Sequence, residues 1–320
     1  MPQWRQFRSS TGPVMPHDRH RKRQALFVLP AVAVLTGLVA GSGFPIAESA
    51  PADTLPERVQ FPSADDKTTL VGYVFKPAVR RAAQVPAVVM MHGRAGAYSS
   101  LAKGVYEAKT LSQRHQFWGQ LWAGQGYIAI LVDGFGPRGY PQGFPRSSYG
   151  TRPATLDEVS IRPLDAYGAL GFLRKRTDVI PDRIGLHGWS NGGSATLAAM
   201  APDAPGIKEH TPAAGFRAAL SFYPACGLKD HFATRGYGSY APVRVFIGTA
   251  DEEVSPRVCR ALLERARGDV KIRFYEGATH DFDDPGRNRQ SVSANAEAKK
   301  DIVERAPAFF AEQLARKQSD

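Results

Sequence analysis

Ile184-Gly185-Leu186-His187-Gly188-Trp189-Ser190-Asn191-Gly192-Gly193 is the stretch that decides the fold. An apolar, strand-like run stops at Gly188. A large residue and a serine follow, and then two glycines. Ser194-Ala195-Thr196-Leu197-Ala198-Ala199-Met200 comes next and reads as a helix. G-x-S-x-G between a strand and a helix is a nucleophile elbow, a sharp turn that holds serine in a strained backbone conformation with its hydroxyl exposed. Side chains two residues before and after the serine would meet neighbouring backbone, so Gly188 and Gly192 carry none. Asn191 opens the helix, and its backbone N–H points where an oxyanion would form. The competing reading is a Gly/Ser-rich turn that matches by chance. The flanking strand and helix weigh against it.

Outward from the elbow, strands and helices alternate. Residues 59–61 and 70–75 read as an antiparallel hairpin around Asp65-Asp66-Lys67. Residues 86–91 and 127–132 are continuous apolar runs, as expected of strands buried on both faces. Between them, 103–125 has helical spacing, with Leu111, Phe117, Leu121 and Trp122 as its stripe. Further helices are expected over 156–177, 256–267 and 294–314, and further strands over 216–223, 243–248 and 270–275. The pattern predicts one α/β domain over 51–320, with a mostly parallel central sheet and helices on both faces. In such sheets the working residues gather beyond the carboxyl ends of the strands.

Gly134-Phe135-Gly136-Pro137-Arg138-Gly139 fits G-x-G-x-x-G after a strand. A dinucleotide site needs a helix to start there, and Pro137, Pro141, Gly143 and Pro145 forbid one. The segment 133–153 is therefore expected to be a long loop beside the active face. A structural ion pair is expected of Arg138 ahead of substrate contact.

A serine hydroxyl needs a base, and the base needs an orienting carboxylate. His280, in Gly277-Ala278-Thr279-His280-Asp281-Phe282, follows the last strand. Asp251, in Gly248-Thr249-Ala250-Asp251, follows the strand before it. The order Ser190, Asp251, His280 is that of α/β-hydrolases. His92, His115, His187, His210 and His231 are weaker bases, with His187 expected to be a packed strand residue. Asp230 is the main rival acid. Asp281 and Asp283 are expected to be solvated or loop-capping. The second oxyanion donor belongs on the turn after the 86–91 strand, where the Arg94 N–H is chosen and Gly93 and Ala95 stand close behind. Cys226 and Cys259 are the chain's two cysteines. Each follows a strand toward the same rim, so they are a disulfide candidate, with two buried free thiols as the alternative.

The formal charge is +11, but six cations against Asp18 in the first 24 residues carry +5 of it. The remainder forms no basic stripe with aromatic platforms, so nucleic acid is not expected as a partner. Those early cations lead into an apolar run over 25–40, followed by small residues. Residues 1–50 therefore read as an export signal, which places the protein in the periplasm or outside the cell. An uncleaved, membrane-tethering segment is the alternative. No H-E-x-x-H, no paired Cys or His at ligand spacing and no Walker loop occurs, so neither metal nor cofactor is expected.

The chain resembles the dienelactone hydrolase family of α/β-hydrolases over about 55–315. The resemblance is carried by Met91-His92-Gly93, the 133–139 segment, Gly188-Trp189-Ser190-Asn191-Gly192, Phe222-Tyr223-Pro224-Ala225-Cys226, Gly248-Thr249-Ala250-Asp251 and Gly277–Asp283. It implies nucleophile, acid and base at Ser190, Asp251 and His280. The family's namesakes use a cysteine nucleophile and a glutamate after the third strand. Ser190 and His92-Gly93 stand in those places here. The expected activity is therefore that of a general serine esterase acting on small carboxylic esters or lactones. An acyl-peptide hydrolase is the alternative within the class, and a non-catalytic hydrolase-like binding module is the alternative outside it.

Overall fold

The computed structural model describes residues 55–79, 82–234 and 236–315; the export segment expected over 1–50 lies outside them. Eight strands form one sheet: β1 (Glu57–Pro62), β2 (Thr69–Phe75), β3 (Val85–Met91), β4 (Ile128–Asp133), β5 (Val179–Trp189), β6 (Ala218–Phe222), β7 (Val243–Gly248) and β8 (Val270–Tyr275). Their spatial order is β1-β2-β4-β3-β5-β6-β7-β8. β2 runs antiparallel to both its neighbours, and every pair from β4 to β8 is parallel. The helices are α1 (Gln113–Gly124), α2 (Arg162–Arg174), α3 (Asn191–Met200), α4 (Pro256–Leu263), α5 (Arg287–Gln290) and α6 (Ser293–Ala315).

Strand alternation on β5 shows how both faces are covered. A Cβ on Gly185 would meet Phe310 of α6. Two residues on, the His187 ring packs edge-on against Trp118 of α1 at 4.9 Å. The intervening parity belongs to the other face, where a Cβ on Gly188 would collide with Gly192 O and Thr196 Oγ1 of α3. Trp122 joins α1 to α6 through Phe310 at 5.2 Å. Burying strands on both faces explains why β3 and β4 read as unbroken apolar runs.

Several helices are shorter than their apolar spacing predicts. Ser112 accepts from the His115 N–H and starts α1 there, so 103–112 is loop and a 3-10 turn rather than helix. α2 starts at Arg162 with Pro163 next to it, not at 156, because Pro153 and a 3-10 turn over Ala154–Leu156 precede it. α4 stops at Leu263.

Candidate active site

Ser190 has φ 51° and ψ −115°, a backbone that L-residues rarely adopt. Two contacts hold the turn. The Ser190 N–H donates to the Phe222 carbonyl at 2.9 Å. Gly192 lies so close to the Met91 and His92 carbonyl oxygens that any Cβ would collide with them. The elbow is thus wedged between the ends of β3 and β6, and both glycines are required by close approach rather than by turn geometry alone.

β7 and β8 deliver the partners. His280 Nε2 lies 3.0 Å from Ser190 Oγ. His280 Nδ1 lies 2.8 Å from Asp251 Oδ2 and 3.0 Å from Oδ1. A carboxylate only accepts, so Nδ1 carries the hydrogen and Nε2 is free to accept from the serine. Asp251 Oδ1 also accepts from the Glu253 and Val254 N–H groups, both at 2.9 Å, so the acid is itself oriented. Burial opposes the charged imidazolium of His280. The Asp251 hydrogen bond, helped by Asp281 and Glu253, outweighs it and raises the pKa above the usual 6.5.

The acid-bearing loop does more than hold Asp251. Glu252 accepts the His280 backbone N–H at 2.9 Å. Burial opposes its ionisation, but that bond and Arg289 bring its pKa to about 2. Glu253 takes both arms of Arg94 at 2.6 Å each, and its carboxylate stands 3.9 Å from His280 Nε2. Arg94 also donates to the Phe144 carbonyl at 3.0 Å. Its side chain therefore ties the turn after β3 to the acid loop. Among the described residues, no carbonyl accepts from the backbone N–H of Arg94 or of Asn191. Arg94 and Asn191 are the two residues whose backbone N–H groups the sequence assigns to the oxyanion hole.

The other titratable residues sort plainly. His187 is packed among Trp118, Trp122 and Trp189, and burial pushes its pKa well down. His92 is buried and accepts the Gly134 N–H at 3.3 Å. His115 is buried against the Ala97 carbonyl and has its pKa lowered by burial to about 4. Arg138 makes the expected ion pair, to Asp165 at 2.8 Å. The reading of Asp283 as solvated or loop-capping is corrected. It is fully buried and accepts from Trp118 Nε1 at 2.7 Å, Trp189 Nε1 at 2.9 Å and Tyr223 OH at 2.5 Å. Asp281 is not a free solvated group either, since Arg114 pairs with it at 2.9 Å and with Asp284 at 3.0 Å. A spacing-based reading had no means of finding these roles, because their partners lie far away in sequence.

Two cavities meet at Ser190. One, of about 360 Å³, runs over Gly93, Ser99, Gln113, Arg114 and Asp281. The other, of about 400 Å³, is more apolar and runs over Tyr149, Arg152, Ala225, Val254 and Val258. Arg94 and Ser190 line both. The long loop expected beside the active face thus contributes Arg146, Ser147, Tyr149 and Arg152 to the second cavity. Cys226 and Cys259 form a disulfide that ties the segment after β6 to α4 behind the acid loop. One group among the described residues, Glu253, His280 and Asp281, brings possible metal-ligand atoms within 4.8 Å of one another. Its donors are already committed to Arg94, Ser190 and Arg114.

A strained serine after β5, a carboxylate after β7 and a histidine after β8, at the carboxyl edge of a mostly parallel sheet, define an α/β-hydrolase. The dienelactone hydrolase family model matches residues 70–314, and the chain belongs to that family. Esterase 2 of the planctomycete Thermogutta terrifontis, with propionate bound, is 22% identical and superposes with a TM-score of 0.54 over 82% of this chain and 97% of that one. The same esterase phosphorylated by paraoxon superposes with a TM-score of 0.51 at 22% identity over 78% and 95%. A dienelactone hydrolase-like promiscuous phosphotriesterase from metagenomic libraries is 17% identical, with a TM-score of 0.56 over 81% and 99%.

Proposed function

We propose that the protein is a serine hydrolase of carboxylic esters or lactones that works through an acyl-enzyme on Ser190. The observation that carries this reading is the continuous hydrogen-bonded path from Asp251 through His280 to Ser190 Oγ. As Oγ attacks the acyl carbon, His280 Nε2 takes its proton, and the carbonyl oxygen becomes an oxyanion. The N–H groups of Asn191 and Arg94 receive that charge. Asp251 holds the imidazolium without taking its proton. Collapse breaks the bond to the alcohol oxygen, which leaves with the proton from His280. A water then gives a proton to His280 as its oxygen attacks the acyl carbon; the acyl–Oγ bond breaks, His280 returns the proton to Ser190 Oγ, and the carboxylic acid leaves.

The test is hydrolysis of short- and long-chain p-nitrophenyl esters and simple lactones. Wild type turns over at least one of them, and Ser190→Ala lowers kcat by about 10⁵–10⁶. A fluorophosphonate labels wild type but not Ser190→Ala. That probe suits the reading, since the structurally similar esterase 2 has been obtained phosphorylated by paraoxon. Absence of both turnover and labelling would return the chain to the hydrolase-like binding modules.

We further propose that the enzyme is exported. The basic and then apolar N-terminal segment supports this, as does a disulfide of a kind that persists in oxidising compartments. N-terminal sequencing of the cell-free or periplasmic product is expected to start beyond the apolar run. An intact N-terminus in the membrane fraction would favour tethering instead.

A further inference from the structure

Arg162 is the most expensively placed cation among the described residues. It has no solvent exposure, and it is the first residue of α2, where the helix dipole disfavours positive charge. Its Nε and Nη2 have no hydrogen-bond partner. Each buried donor left unsatisfied costs roughly 1–3 kcal/mol. Burial brings its pKa down to about 10, so it stays charged at neutral pH. Asp165, Glu158 and Asp133 lie near enough to offset the charge, and the Phe135 ring sits under the guanidinium at 4.9 Å. An apolar residue of similar volume would be a cheaper occupant of such a place.

What Arg162 does make is specific. The two hydrogens of Nη1 go to the His92 carbonyl oxygen at 2.7 Å and to Asn191 Oδ1 at 2.6 Å. His92 ends the chain segment that leads into Gly93 and the Arg94 N–H. Asn191 bears the other oxyanion donor on its backbone. Its side chain is pinned on the far side as well, since Nδ2 donates to Glu158 at 3.1 Å. One nitrogen therefore bridges the two separate chain segments, after β3 and after β5, whose spacing sets the width of the oxyanion hole. These segments already touch through Gly192. The bridge fixes how they sit.

We infer that Arg162 is a positioning residue for the oxyanion hole, holding the Arg94 and Asn191 donors at the separation the tetrahedral intermediate needs. The inference rests on the serine-hydrolase reading above. Because the surrounding carboxylates balance its charge, its effect is geometric rather than a long-range field. Lysine keeps the charge but lacks the rigid planar fork, so it is a poor substitute.

The experiment compares wild type, Arg162→Lys, Arg162→Gln and Asn191→Ala on one p-nitrophenyl ester, with active enzyme corrected for folded fraction. Asn191→Ala leaves the backbone donor in place and removes the side-chain amide, both the acceptor for Arg162 and the donor to Glu158, so it serves if both Arg162 variants fail to fold. The expected result is a kcat lowered about 10- to 100-fold with KM within about threefold, less than the 10²–10³ seen when a donor is lost outright. Arg162→Lys should lose less than Arg162→Gln. Affinity for a boronic acid, which forms a tetrahedral adduct on serine, should fall in step with kcat/KM, while inhibition by the product carboxylate stays constant. Folded variants with wild-type kcat and boronate affinity would overturn the inference and leave the hydrolase reading intact. A loss confined to thermal stability would do the same. An inactive wild type would overturn both.

Discussion

The Trp189 indole donates to Asp283 across 94 residues of chain, at 2.9 Å. Trp189 immediately precedes Ser190, and Asp283 lies three residues after His280. Ser190 and His280 are thus registered to each other through a carboxylate outside the Asp251–His280–Ser190 path. Arg114, on α1, reaches the same 281–284 segment. Asp283→Ala would strand Trp118 Nε1, Trp189 Nε1 and Tyr223 OH in a dry interior. The expected cost is at least about 3 kcal/mol. In a domain of this size that lowers Tm by about 6 °C or more, as read by calorimetry. A Tm within 2 °C of wild type, roughly the effect of a neutral surface change, would contradict it.

The pH profile should betray the neighbours of His280. In the proposed mechanism His280 works only when neutral, and its pKa is raised above 6.5, so kcat/KM should fall on the acid side with a midpoint above pH 6.5. Glu253 contributes to that rise from 3.9 Å. Glu253→Gln removes the negative charge and also frees Arg94, and both changes disfavour the imidazolium. Its acid limb should move to lower pH. The stability linked to His280 has the opposite sense: present below the unfolded pKa of about 6.5, it is lost as pH rises through the raised folded value.

Asp251→Asn should be the harshest change outside Ser190 and His280. An amide at this position no longer selects the Nδ1–H tautomer, which leaves Nε2 unable to accept the serine proton. A fall in kcat of about 10⁴ is expected in steady-state assays, with KM little changed.

Reduction of the Cys226–Cys259 bond, or Cys226→Ala with Cys259→Ala, releases a loop closed over a sequence separation of 33. Chain entropy puts the loss at about 3.7 kcal/mol. That corresponds to a Tm lower by roughly 10 °C, measured with and without reductant. An unchanged Tm on full reduction would show that the bridge adds nothing to the fold.

Residues whose role is local were legible in the sequence. The elbow, the strand ends bearing Asp251 and His280, and the prolines that exclude a nucleotide loop each announce themselves within a few positions. Ser190, Asp251 and His280 meet because β5, β7 and β8 are parallel, so one topological inference places all three. Helix starts were less legible, because a single cap such as Ser112 overrides a longer apolar stripe. Least legible were Asp283, Glu253, Arg114 and Arg162. Acidic and basic residues ordinarily face water, and nothing local to Asp283 announces two tryptophans and a tyrosine arriving from three other parts of the chain.

The stretch from Gly134 to Pro153 builds one wall of the larger cavity yet contributes no member of the Asp251–His280–Ser190 path. The cavity wall and the Asp251–His280–Ser190 path are therefore carried on different pieces of chain, fastened together where Arg94 and Arg146 grip the acid loop. Gly134, Phe135 and Phe144 in this stretch support His92, Arg162 and Arg94, so it is the cavity-lining 147–152 portion that can be exchanged while the reacting atoms keep their places. It is the natural point at which to redirect this enzyme toward new esters.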